Sequence, residues 1–392
     1  MSSLDNPSRK LQTSKTFKGI VIAAWITMAV ALRYVFFPVE SYDMRAFLVP
    51  WYDFIVEHGQ FKSFAYAFYD YSPLYLYMVS FSTLFEWIPK ITAIKIISIL
   101  FDFSAALAVF KIVKLKRGEA KPAWFAFIGT LYLPTVFVQS GMWGQCDIIF
   151  TSFLLWMMYA LLRKKYLLAV VFFSIAFALK AQAMFIGPLG LVLVLNKKIR
   201  WYWLFLLPAA YLLSIIPAWL AGRPFMELLT IYFSQVSVYK LLSLAAPNFY
   251  VFFEDPKYYS TFAVSIGLVV AAIIGLAYLF LRWRKYPRIS DKGYFLDGIT
   301  ITFLFPFVLP LMHDRYFFIA AMLLFVLAFL DKRFLWPAIL IQVSSMISYF
   351  QSWHVLMPLA VAINTVLAGW LVALFLRNMK SENQLSPVKE DS

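Results

Sequence analysis

"PLYLYMVSFSTLFEWI", residues 73–88, decides how this chain is threaded. The stretch is apolar enough to enter a bilayer, yet shorter than the roughly 20 residues a spanning helix needs. Behind it lie another apolar run and then "KLKRGEAK", residues 114–121. Lys and Arg collect in cytoplasmic loops, and most of the basic residues fall in a few connections. Segments 1–18, 111–121, 163–165, 197–200, 282–292, 332–333 and 377–392 hold 25 of the 35 Lys and Arg. Placing them all on one side requires an odd number of crossings between residue 72 and "KLKRGEAK". The charge pattern therefore lays 73–88 along the outer interface and sends 91–113 across.

The remaining runs follow from that choice. Spans are predicted at 17–37, 91–113, 123–140, 147–163, 166–180, 182–195, 201–221, 261–283, 295–311, 316–330, 334–350 and 355–377. The fold class is an all-α polytopic membrane protein with about 12 transmembrane helices, both termini cytoplasmic, in a cell inner membrane or plasma membrane. Residues 1–378 are read as a single transmembrane domain and 379–392 as a disordered cytoplasmic tail. Two long connections, 38–90 and 222–260, then lie outside. Long ordered loops are where function concentrates.

Composition points the same way. Of 392 residues, 62% are hydrophobic and 14% charged, with a mean hydropathy of +0.76. No soluble domain hides that much apolar surface. The net charge of +15 belongs to the cytoplasmic loops, and nucleic acid is not an expected partner. Cys146 is the only cysteine, which excludes an intrachain disulfide and a thiolate metal cage. The polar, basic N-terminus leads into an apolar run without a small-residue cleavage pattern, so the run reads as a retained first span.

The outer loop 38–90 contains Glu40, Asp43, Asp53, Glu57 and Asp70. Asp43 and Asp70 sit among aromatic and aliphatic neighbours, where a carboxylate can act as a base or bind a cationic ligand. The plainer reading makes both solvated loop acids or helix caps. Asp53 and Glu57, four apart in "PWYDFIVEHG", read as the wet face of a juxtamembrane helix. "SGMWGQCDIIF", residues 140–150, offers Trp143 as an interfacial anchor and Gln145 and Asp147 as polar groups. Asp147 suits a helix N-cap equally well. In "LKAQAMFIGP", residues 179–188, Lys180 either snorkels to headgroups or binds an anion. "PLMHDRYFFIA", residues 310–320, gathers His313, Asp314, Arg315 and Tyr316 in one outer turn, suited to an oxyanion or phosphate.

These sites share one face and combine carboxylates with separate cations. In that setting "SYDMRAFLVPW", "YSPLYLY", "KIISILFDF", "GMWGQCD", "ALKAQAMFIGP" and "MHDRYFF", in that order, resemble the GT-C class of polytopic glycosyltransferases. The match is to the bacterial group related to the second mannosyltransferase of GPI-anchor synthesis. The resemblance implies the GT-C fold, with juxtamembrane helices in the first outer loop, and a polyprenyl-phosphate sugar as donor. It puts Asp43 at the catalytic-base position. Lys180 and Gln182 fall near a Lys-Gln landmark of the dolichol-pathway glucosyltransferases, loosely, because Ala181 separates them. His313, Asp314 and Arg315 fall on the donor-side turn.

The expected activity is inverting transfer of a hexose, with mannose first, to an extracytoplasmic lipid, glycan or protein acceptor. Arg45, Lys180, His313 and Arg315 are candidates to hold the donor phosphate. Asp70, Trp143, Gln145, Asp147, Gln182, Asp314 and Tyr316 are candidates for the sugar or acceptor side. No cofactor is expected; a divalent metal held by Asp43, Asp70 and Asp147 is a lesser alternative. The rival reading is a transporter or flippase of a lipid-linked sugar, against which stand the missing internal repeat and the few charges within spans, Asp102 and Asp297.

Overall fold

A computed structural model describes residues 7–236, 240–253 and 255–384. The chain is almost entirely helical. Helix α1 is Pro7–Val35, α2 Val49–His58, α3 Pro73–Ser82, α4 Lys90–Arg117, α5 Ala120–Tyr132, α6 Pro134–Phe137, α7 Asp147–Leu162 and α8 Tyr166–Leu179. Then come α9 Gly187–Leu195, α10 Leu206–Ala221, α11 Phe225–Val236, α12 Thr261–Phe280, α13 Asp291–Val308, α14 Phe318–Leu330, α15 Leu335–Tyr349 and α16 Met357–Gln384. One departure from an all-helical chain is a parallel pair of two-residue strands, β1 Ser243–Leu244 and β2 Met312–His313.

Among the described residues, five helical segments are long and apolar enough to cross a membrane: Phe17–Val35, Lys90–Arg117, Trp201–Ala221, Thr261–Lys285 and Ser352–Gln384. The bent pair Ala120–Tyr132 and Pro134–Trp143, 45° apart, makes a sixth. The bend follows from Pro134, which cannot donate into the preceding turn. Other apolar helices are shorter, α14 having 13 residues, or roughly 20 Å at 1.5 Å per residue. Of these, α7 and α14 are buried along most of their length and lie inside the bundle. Helix α4 packs on α5 and α7, α7 on α8, α8 on α10, and α13 on α14 and α16. The stretch 73–88 forms the ten-residue α3 and a run of turns. At roughly 15 Å, α3 is half the ~30 Å hydrocarbon thickness.

The connections gather at two ends. Lys116 pairs with Asp291 (2.6 Å), Lys292 with Asp331 (2.8 Å), Arg282 with Glu382 (2.9 Å), and Asn196 Nδ2 donates to the Pro287 carbonyl (3.0 Å). That is the basic end. At the other end Ser41 Oγ donates to the Trp143 carbonyl (3.3 Å), Lys180 pairs with Asp147 (3.0 Å), and Leu244 accepts from the Asp314 N–H (2.9 Å).

Two buried acids inside the bundle are neutralised by arginines. Asp102 takes Arg33 Nε at 2.7 Å and Ser140 Oγ at 2.6 Å, while Arg33 also donates to the Ala29 and Leu131 carbonyls. Asp297 takes Arg282 through Nη2 at 2.5 Å and Nε at 2.8 Å. Lys95 Nζ donates to the carbonyls of Phe36, Phe37 and Val39 at 2.6–3.1 Å, tying down the chain that leaves α1. Residues 379–384 continue α16; the rest of the expected disordered tail lies outside the described residues.

Candidate functional site

Each wall of the candidate site follows from how a helix ends. Helix α8 stops at Leu179 because its last carbonyls are taken by side chains. Tyr232 Oη donates to Phe177 (2.7 Å) and Ala178 (3.1 Å), and Ser72 Oγ also donates to Ala178. Lys180 is then extended, φ −157° and ψ 132°, and turns inward. The segment Val138–Trp143 winds as a wide π-type turn and ends at Gly144, φ +70°. A Cβ there would also lie 2.6 Å from the Met44 methyl, so Gly144 lets the two loops close on one another. Gln145 follows, its carbonyl fixed by Ser98 Oγ (2.7 Å).

Neither of the two aromatic-flanked acids caps a helix. Ser41 Oγ, not Asp43, receives the Met44 N–H (3.1 Å), and Ser72 occupies the N-cap of α3. Asp43 Oδ2 instead accepts from Gln145 Nε2 at 2.6 Å and faces Arg315 Nη2 at 3.2 Å. Its side chain is 26% exposed. Arg315 lies among three carboxylates: Asp43, Asp147 at 3.4 Å from Nε, and Asp314 at 3.6 Å from Nη1. These are long for charge-assisted hydrogen bonds, which run about 2.7–2.9 Å. Arg315 Nε is buried without a hydrogen-bond acceptor. The contrast with the tight Arg282–Asp297 fork is plain.

Asp43, Asp70, Gln145, Lys180, Gln182, His313, Arg315 and Tyr316 line one cavity of about 330 Å³. That is the size of a small-ligand site. Gln182 Nε2 donates to Tyr316 Oη (2.7 Å) across its floor. Trp51, Tyr71 and Tyr232 add an aromatic wall, and Val264 and Leu268 of α12 an apolar one. Leu268 is 56% exposed, so this wall also belongs to the outer surface of the bundle.

Four candidates sit elsewhere. Arg45 is exposed outside the cavity; two residues beyond Asp43 on a helical turn, it points round the far side. Trp143 packs against Tyr349, the rings tilted by 45° with centroids 5.0 Å apart. Asp147, with a side chain 2% exposed, is the first residue of α7, and Cys146 holds its N-cap. It lies behind Lys180 and Arg315 as their counter-ion. Lys180, 10% exposed, does not snorkel to headgroups. Asp314 is likewise behind the wall. Asp53 and Glu57 are exposed on α2, Asp53 paired with Lys90.

The electrostatics refine the roles. Burial, then Arg315 and Lys180, hold the His313 imidazole well below its usual value. It therefore offers a neutral hydrogen-bonding ring beside the Arg315 guanidinium. Burial pushes Asp314 up to about 7 against the pull of Arg315, with Asp43 and Asp147 adding to the rise. Burial also raises Asp70, opposed by a backbone hydrogen bond, with Asp43 adding to it. Among the described residues no three His, Cys, Asp or Glu side chains are grouped to hold a metal ion. The acids proposed to converge on a metal are separated by function: Asp43 and Asp147 turn to the Arg315 guanidinium.

The sequence reading missed the aromatic wall. Tyr71 opens "YSPLYLY", where nothing in the sequence separates it from its neighbouring tyrosines; Tyr232 lies on α11, an amphipathic helix, "FMELLTIYFSQV", in the second long loop. Comparison with family models and with curated proteins gives no match.

Proposed function

We propose that the chain is an inverting glycosyltransferase that moves one hexose, mannose first, from a polyprenyl phosphate to an extracytoplasmic lipid, glycan or protein acceptor. The observation that carries this reading is Arg315. It is a buried guanidinium with an unused donor, loosely placed beside a half-buried carboxylate, in a cavity walled by an outer helix. A guanidinium in that state favours a phosphate oxygen over its long carboxylate contacts. The apolar wall on α12 suits a donor whose chain stays in the bilayer.

In this mechanism Asp43 takes the acceptor hydroxyl proton as its oxygen attacks the anomeric carbon. The bond from that carbon to the phosphate oxygen breaks, and the phosphate leaves with the electron pair. Arg315 and Lys180 stabilise its charge. One displacement inverts the centre. Gln145 holds Oδ2 of Asp43 and so orients the carboxylate. When Arg315 turns to the phosphate, Asp43 is released from its 3.2 Å contact with the guanidinium and can meet the acceptor hydroxyl. A phosphate leaving group needs no strong general acid.

Arg315→Ala is expected to raise the donor concentration required for half-maximal transfer roughly ten- to a hundredfold, from about 1.5–3 kcal/mol per charge-assisted contact. Acceptor dependence should move little. The assay is consumption of a synthetic polyprenyl-phosphate mannose by purified protein with acceptor extract; a carrier would leave the donor intact. Unchanged donor dependence would move the phosphate site to Lys180.

The same reading includes twelve passes with both termini cytoplasmic. The connections after α4, α9, α12 and α14 meet at the basic end, and those after α1, α6, α8 and α13 meet at the end of the cavity, which supports it. The short helices then pass through the protein interior, where less apolar length suffices. Reporter fusions after Glu86 and after Lys116 are expected to read outside and inside. Both on one side would overturn the arrangement.

A further inference from the structure

The basic end carries a second concavity that sugar transfer does not use. The C-terminus of α4, the N-terminus of α13 and the turn between α14 and α15 enclose about 540 Å³. Its rim holds five cations, Lys116, Arg117, Lys292, Lys332 and Arg333, against two acids, Asp291 and Asp331. Both acids are engaged already. Asp291 takes Lys116, and Asp331 is shared by Lys292 (2.8 Å) and Arg333 (2.7 Å). Arg333, with Lys292, holds the Asp331 carboxyl well below the usual range. Arg117 and Lys332 are exposed and make no ion pair among the described residues. Beneath the rim, Leu162, Phe295, Leu327 and Leu330 line an apolar floor.

Topogenic charge alone needs basic residues near the membrane and no particular arrangement of them. Here three segments distant in sequence surround one depression, and two of its cations remain uncommitted. We propose that this pocket binds the headgroup of an anionic phospholipid. Arg117 and Lys332 reach the phosphate, and the floor takes the first part of an acyl chain. Basic pockets between membrane helices recognise headgroups in this manner. The opposed charge and grease match a lipid better than a soluble anion, which gains nothing from the floor.

The test is native mass spectrometry of the delipidated full chain in detergent, titrated with phosphatidylglycerol. The wild type is expected to keep one lipid. The double variant Arg117→Gln, Lys332→Gln should bind it about 30-fold more weakly, from ~1 kcal/mol per basic residue near a lipid surface. A control pair at the same end, Lys197→Gln with Lys285→Gln, removes equal charge from exposed positions and should leave binding within about twofold. Thermal unfolding of both variants checks that the fold is retained. Equal loss in the two pairs would reduce the effect to diffuse charge and overturn the site, as would retention of phosphatidylcholine equal to that of phosphatidylglycerol. Displacement of the lipid by millimolar inorganic phosphate would overturn the lipid assignment in favour of a free-anion site. Sugar transfer need not change in any arm, so failure here is distinct from failure of the proposed activity.

Discussion

Asp43→Asn is expected to lower sugar transfer by about 10²–10⁴ while leaving folding and donor binding nearly intact. That is the usual contribution of a positioned general base. An asparagine fills the same space and its carbonyl oxygen still accepts from Gln145 Nε2, now 2.6 Å from the carboxylate. It cannot take up the hydroxyl proton. Arg315 keeps Asp147 and Asp314 nearby, so the turn that carries it should stay in place. Two parallel variants make the measurement specific. Asp70→Asn alters a second cavity-lining acid and should cost less. Asp53→Asn removes an exposed pair with Lys90, the two side chains 53% and 45% exposed; such pairs are worth about 0–1 kcal/mol, and transfer should not respond. Full activity in Asp43→Asn at matched expression would sink the mechanism. Loss confined to Asp70→Asn would move the base there, and equal losses in all three would report the loop fold alone.

The second large effect is on stability. Asp102→Ala leaves the fully buried Arg33 guanidinium without its carboxylate at the joint of α1, α4 and the bent α5–α6 pair. Removing one partner of a buried ion pair costs about 3–5 kcal/mol, because the remaining charge is uncompensated. Replacing both, with Arg33→Met and Asp102→Leu, should restore much of that. Equilibrium unfolding of the purified protein in detergent reads the difference. An Asp102→Ala variant as stable as the parent would show that water reaches the guanidinium and that the pair contributes little.

Asp102 illustrates what the sequence holds and what it does not. An acid inside an apolar run announces a partner, but nothing local says that the partner is Arg33, 69 residues away. The same limit applies at the candidate site. Charge parity and turn residues put Asp43, Lys180, His313 and Arg315 at one end, since helix ends can be read from breakers and polar residues. Direction around each helix depends on which neighbours pack against it, and that order is not written in any single stretch. Hence Arg45, two residues from Asp43, points away, while Gln145, a hundred residues off, supplies its hydrogen bond. The position of Asp147 suits a cap and a site residue equally; Lys180 and Arg315 claim it as counter-ion. The 13-residue α14 was legible as an apolar run, but its shortness follows from burial in the middle of the bundle, which hydropathy does not report.

The two-residue pairing of β1 with β2 splices the long second loop to the turn that carries Arg315. The Leu311 N–H donates to Leu242 (2.8 Å) and the Asp314 N–H to Leu244 (2.9 Å), while Ala245 and Leu311, at the edges of the splice, both hold positive φ, 60° and 63°. Such residues stay in that conformation only where their surroundings hold them there. The strip 242–245 and the turn 311–314 therefore hold one another's backbone in place. The second long loop thus fixes the backbone of the turn from which Arg315 reaches Asp43, so residues 242–245 belong to the frame of the cavity although they lie some seventy positions before it in the chain.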